Sequence, residues 1–100
     1  MATVIVLYKT PKSPATFASE YNTVHIPLAK KLPGLRKYEI SQGPISTPSG
    51  PSAYHLIATL AFDNIAAIQA AFASPEGQAA AAHAATLADL EFLIFEDRTV

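Results

Sequence analysis

The sequence predicts an α+β domain of the ferredoxin-like type, with one four-stranded antiparallel sheet and helices on one face in the order βαββαβ. Three observations lead there. The apolar runs VIVL, LIATLAF and FLIF are spaced along the chain as strands would be, with a weaker strand pattern between the first two. Two serine–proline steps, Ser13-Pro14 and Ser74-Pro75, each open an apolar pattern at helical spacing. A chain of 100 residues, finally, holds one core and reads as a single domain over residues 1–100.

Thr3 to Lys9 is a β-branched run ending at Thr10-Pro11, which suits a strand apolar on both faces. Ser13 is the expected N-cap of a helix beginning at Pro14. Phe17, Tyr21, Val24, Leu28 and Leu32 then recur every three or four residues and carry that helix to about Lys31. Pro27 lies inside this pattern. A proline offers no N–H to the carbonyl of Thr23 and crowds it, so the helix is expected to kink or break around Val24 to Ile26, leaving a free carbonyl beside His25. Pro33-Gly34 ends the segment. Leu35 to Gln42 alternates imperfectly and reads as the second strand, whereas Gly43 to Ser52 (GPISTPSGPS) reads as a loop or lid without regular structure. Tyr54 to Phe62 is the third strand, and Asp63 the expected cap of a helix holding Ile65, Ile68, Gln69 and Phe72. From Ser74-Pro75-Glu76 a helix restarts and runs to about Leu87, and Leu90 to Glu96 is the fourth strand.

Half of the residues are apolar and only 15% are charged, against roughly 25% in ordinary soluble domains. Helices cover one face of such a sheet, yet the apolar runs supply hydrophobic side chains to both. A short antiparallel sheet with one wet face would alternate. The bare face is therefore expected to pack against a second copy, giving a homodimer through the sheet faces.

A net charge of −1 and dispersed cations, apart from Lys30-Lys31 and Arg36-Lys37, lack the electrostatic footprint of a nucleic-acid binder. Absence of cysteine excludes disulfides, thiolate nucleophiles and Cys-ligated metal centres, and is compatible with the cytoplasm. MATVIVLYK has neither a basic leader nor a small-residue cleavage site and reads as a strand rather than a signal peptide. The alanine-rich stretch from Ala79 to Leu90 is interrupted by His83, Thr86 and Asp89 and makes a poor membrane span.

Chemistry falls to three histidines, since imidazole alone titrates near neutrality. None stands in a metal-ligand spacing, so no metal or other cofactor is expected. His25 has the best local case: the carbonyl freed by Pro27 would fix its ring tautomer, the alternative being a helix-end residue that pairs with unsatisfied carbonyls. Tyr8 and Tyr38, expected on neighbouring strands, together with Tyr54, would offer ring contact and a directional hydroxyl to a hydrophobic small molecule, or else serve as core or interface. His55 is a pocket or interface residue, and His83 a surface residue or pocket wall. Asp89 and Glu91 read as solvated residues at a strand start. Ser13, Ser19 and Ser74 stand in no nucleophile-elbow context.

The string TVHIPLAKKLPGLR at Thr23 to Arg36, with IVLYKTP at Ile5 to Pro11 and FASPEGQAAAA at Phe72 to Ala82, resembles the EthD family, over nearly the whole chain. That resemblance implies the dimeric α+β barrel architecture, whose members include cofactor-free monooxygenases, lactone isomerases and heme-linked enzymes. It marks His25, Pro27, Leu28, Leu32, Pro33, Gly34 and Leu35, and then Ser74, Pro75, Glu76 and Gly77. Of these, His25 alone joins acid/base capability to an apolar setting. His83 stands where similar proteins carry an acid, which leaves open a His25 and His83 pair. The reading that follows is a small cofactor-independent enzyme, oxidoreductase-like or isomerase-like, acting on a hydrophobic small molecule with His25 as base. Its alternatives are a non-catalytic binding or accessory protein of a catabolic or biosynthetic pathway, and heme binding through a histidine.

Overall fold

A computed structural model describes residues 1–100, and all four expected strands form one antiparallel sheet beneath a layer of helices. β1 (Ala2–Lys9) alternates in burial: Ala2, Val4, Val6 and Tyr8 lie under the helices, and Thr3, Ile5 and Leu7 point the other way. β1 is central. It pairs with β5 (Tyr54–Phe62) and with β6 (Leu90–Glu96), and β2 (Lys37–Ile40) extends the other side of β5. Ala2 opposite Phe62, Val4 opposite Leu60 and Val6 opposite Ala58 fix a register that puts the buried residues of both strands on the helix face. The fold is ferredoxin-like, as the sequence predicts.

The first helical segment starts as expected, with Pro14 following a Ser13 cap whose Oγ accepts from the Thr16 N–H at 3.3 Å. Pro27 does not break it. α1 (Pro14–Glu20) passes into a π-helical turn over Tyr21–His25 and on into α2 (Ile26–Ala29), with right-handed dihedrals at Tyr21, His25 and Ile26. The Ile26 N–H reaches back five residues to the Tyr21 carbonyl. Side chains add donors to two backbone carbonyls of this segment: Asn22 Nδ2 to Ala18 and Thr23 Oγ1 to Ser19, at 2.8 and 2.7 Å.

Other departures are local. β2 is shorter than the Leu35–Gln42 pattern suggests. Inside the expected loop, β3 (Ser46–Thr47) and β4 (Gly50–Pro51) form a two-rung hairpin. Asn64, not Asp63, caps α3 (Ile65–Ala73), its Oδ1 accepting from the Ala67 N–H at 2.8 Å. Asp63 is held instead by the Arg36 guanidinium through two bonds of 3.0 and 2.9 Å. This hydrogen-bonded pairing keeps its carboxyl below the usual carboxylate range. α4 (Pro75–Leu87) follows at once, capped by Ser74. Tyr8 and Tyr38 are not on neighbouring strands, because β5 lies between β1 and β2, although both face the helices.

The second sheet face is uncovered and apolar. Ile5, Leu7 and Ile57 lie on it, with Leu93 and Phe95 of the edge strand β6 exposed beside them at 49% and 42%. No helix is long and apolar enough to cross a membrane.

Candidate functional site

Phe17, Tyr21 and His25 stand four residues apart, so the α1 and π-turn segment presents three rings in a row to the sheet. Phe17 stacks on Tyr21 with centroids 5.6 Å apart, and Tyr21 lies 5.0 Å from His25. Tyr8 rises from β1 edge-on to all three. Above them, α4 brings in His83, whose ring lies nearly parallel to that of His25 at 5.3 Å. The sequence left this pair open, and the fold closes it across 58 positions: His25 Nδ1 and His83 Nδ1 are 3.1 Å apart.

Two ring nitrogens at that distance share one hydrogen, so one imidazole donates and the other accepts. The other nitrogen of His25, Nε2, is 3.5 Å from the Tyr8 hydroxyl. No hydrogen-bond partner reaches the buried Nε2 of His83, and the nearest acid, Glu20, has Oε1 3.8 Å away. A hydrogen on His83 Nε2 faces that carboxylate, whereas a bare lone pair there would oppose it. The favoured arrangement therefore makes His25 Nδ1 the donor to His83, and His25 Nε2 the acceptor for the Tyr8 O–H. No freed backbone carbonyl bonds the His25 ring, contrary to the expectation from Pro27; side chains at both nitrogens set its tautomer.

Burial, and secondarily the charge that His83 can carry, push the His25 imidazolium down to about 4. Tyr8 and Tyr21 are pushed well above the usual phenol range, first by burial. Tyr38 rises for the same reason, and its hydroxyl meets that of Tyr21 at 2.6 Å. His25, Tyr8, Tyr21 and Tyr38 are thus uncharged at neutral pH, and a line of polar atoms runs from Tyr8 through two imidazoles towards Glu20.

Two open cavities flank it and share Thr10. One, of about 540 Å³, lies between α1 and the end of α4 and is lined by Ser13, Thr16, Phe17, Glu20, Thr86 and Leu87 among others. The other, about 440 Å³, lies under the β3–β4 hairpin and includes Tyr54, His55 and Leu56. His25, 6% exposed, lines neither. Of the residues singled out from sequence, Tyr8, Tyr38, His25 and His83 come together. His55 touches the cluster edge-on at Phe17, 5.0 Å between centroids. Tyr54 does not join it. A register shift between Tyr8 and Lys9 sets Tyr54 opposite Lys9 on the uncovered face, where its hydroxyl donates to Glu91 Oε2 at 2.7 Å. Glu91 is therefore a paired residue, not merely a solvated one.

Tyr21, read from the sequence only as part of the helical stripe, and Glu20 were not among the expected site residues. The repeated spacing Phe17-Tyr21-His25 signals the first. Nothing local signals Glu20, whose partner is 63 residues away on α4. No group of three or more His, Cys, Asp or Glu is placed to hold a metal ion.

Comparison with known proteins agrees with the motif likeness. The EthD domain model matches residues 9–91. The chain belongs to the EthD family. A relative from Rhodococcus erythropolis, described as an 11.0 kDa protein of the thcB-thcC intergenic region, is 36% identical over all of this chain and 98% of its own. The crystal structure of an EthD-family protein from Bacillus halodurans is 30% identical with a TM-score of 0.90, covering 98% of this chain and 99% of that one. SnoaB, a cofactor-independent oxygenase from Streptomyces nogalater, shares the fold at 16% identity and a TM-score of 0.72, over 99% and 94% of the two chains.

Proposed function

We propose that this EthD protein is a small cofactor-independent enzyme, oxidoreductase-like or isomerase-like, that moves a proton on a hydrophobic small molecule. The Nδ1 to Nδ1 contact between His25 and His83 carries the reading. A buried imidazole held neutral, hydrogen-bonded to a second imidazole that faces a carboxylate, is a relay: its neutral form is the one that accepts a proton, and the shared nitrogen contact passes it on. Tyr8 fixes one end. Tyr38 and His55 shape the aromatic wall, and His55 with Tyr54 opens onto the second cavity. The uncovered apolar face supports a homodimer in which two sheets pack face to face at about 10 Å and complete a dimeric α+β barrel.

The test is a thermal-shift screen against small aromatic, ether and lactone compounds, followed by turnover of any stabilising ligand. Replacing His25 by alanine should leave a folded protein that binds the hit and turns it over roughly 10² to 10⁴ times more slowly. Unchanged turnover sinks the proposal. Binding without turnover in the wild type favours the accessory-protein alternative, a reading supported by the closure of His25 from both cavities.

A further inference from the structure

The cap Ser13 and Thr16, Phe17 and Glu20 of α1 follow the spacing i, i+3, i+4 and i+7 and so form one stripe. All four line the larger cavity. Across it, α4 presents Thr86 and Leu87, three and four residues beyond His83 and on its face. This places the cavity beside the outer end of the histidine pair. Glu20 alone both lines the cavity and approaches the pair, its Oε1 3.8 Å from the otherwise unpartnered His83 Nε2. His25, the best candidate from the sequence, has no access to a ligand there.

We infer that the cavity between α1 and α4 is the ligand site, that Glu20 is its catalytic acid/base, and that His83 is a positioning residue that holds the Glu20 carboxylate. The inference rests on the proton-transfer reading above and assigns the point where the protein meets its substrate. Phe17 and Leu87 offer one apolar flank, while the hydroxyls of Thr10 and Thr16 and the Lys12 ammonium offer donors to an oxygen; those of Ser13 and Thr86 already donate to Thr16 Oγ1 and the His83 carbonyl. The cavity thus suits an enolisable carbonyl compound with an aromatic or alicyclic body. In the step, the Glu20 carboxylate takes a proton from the carbon beside the carbonyl; the C–H pair becomes the enolate π bond, and the charge moves to the oxygen, towards Lys12 and the hydroxyls. Glu20, now protonated, returns the proton to the same carbon or to a conjugated one. No oxidant is required.

The probe is β-tetralone, an aromatic ketone with an acidic C–H, followed by NMR in deuterium oxide as its α-hydrogens exchange. The wild-type protein should accelerate exchange over buffer, and Glu20→Gln should lower that acceleration by roughly 10²-fold. Glu76→Gln, which removes an exposed acid from the first turn of α4, should leave it unchanged. His83→Gln should lower the rate and displace the pH at which it is half-maximal, which a purely structural role would not do if the melting temperature is preserved. Amide shifts on titration with β-tetralone should fall on Thr16, Phe17, Thr86 and Leu87. Shifts confined to Ser41, Gly43 and His55 would move the site to the second cavity and overturn the inference, as would equal exchange in Glu20→Gln and wild type, or no acceleration by the wild type. If His25→Ala removes the activity and Glu20→Gln does not, this inference fails while the proton-transfer reading survives; if neither matters, both fail.

Discussion

His25 shows how one side chain can be chemically poised and structurally awkward at once. Its imidazolium is held down to about 4, against an ordinary histidine near 6.5 in the unfolded chain. Between those values the unfolded state binds the extra proton and the folded state does not, so stability rises with pH across the window. It is complete above about 6.5 and falls as the pH drops towards 4, by at most about 3 kcal/mol from this residue. Urea midpoints measured from pH 4 to 7 should therefore rise more steeply for the wild type than for His25→Asn; parallel curves would show that the ring is solvated. Nearby, Tyr21→Phe removes the hydroxyl partner of Tyr38 and should cost about 1 kcal/mol, readable in the same experiment.

Elements explain why the expected helix break did not occur. The π turn over Tyr21–His25 carries the chain on into α2 with Pro27 in its first turn, where a missing N–H is best tolerated. The turn also leaves the Tyr21 and His25 rings 5.0 Å apart on the side facing the sheet. At the α3–α4 junction the close approach is of backbone: a Cβ on Gly77 would overlap the Ala71 carbonyl oxygen and crowd Phe72. Gly77→Ala should destabilise the protein by about 2 kcal/mol or more, with a lowered melting temperature. The Arg36 pairing with Asp63 should contribute far less, since both side chains are more than half exposed.

For the molecule as a whole, the proposed homodimer rests on the uncovered sheet face. Leu93 and Phe95 stand in the open on an edge strand next to Ile5, Leu7 and Ile57, a surface that a monomer rarely leaves uncovered. Sedimentation at micromolar concentration should give a dimer, and Leu93→Lys should shift it towards monomer while the helical signal in circular dichroism is kept. A wild-type monomer would refute the face-to-face arrangement.

Local rules were enough for the order of elements, the Ser13 and Ser74 caps and the two-faced apolar strands, because capping and alternation involve neighbours in the chain. They also singled out His25 and raised its pairing with His83 through a family likeness. What chain proximity does not carry is distance across the fold. The placing of β5 between Tyr8 and Tyr38, the choice of Asn64 once Arg36 had taken Asp63, and the approach of Glu20 to His83 came only from tertiary packing, which brings together groups that no spacing in the sequence connects.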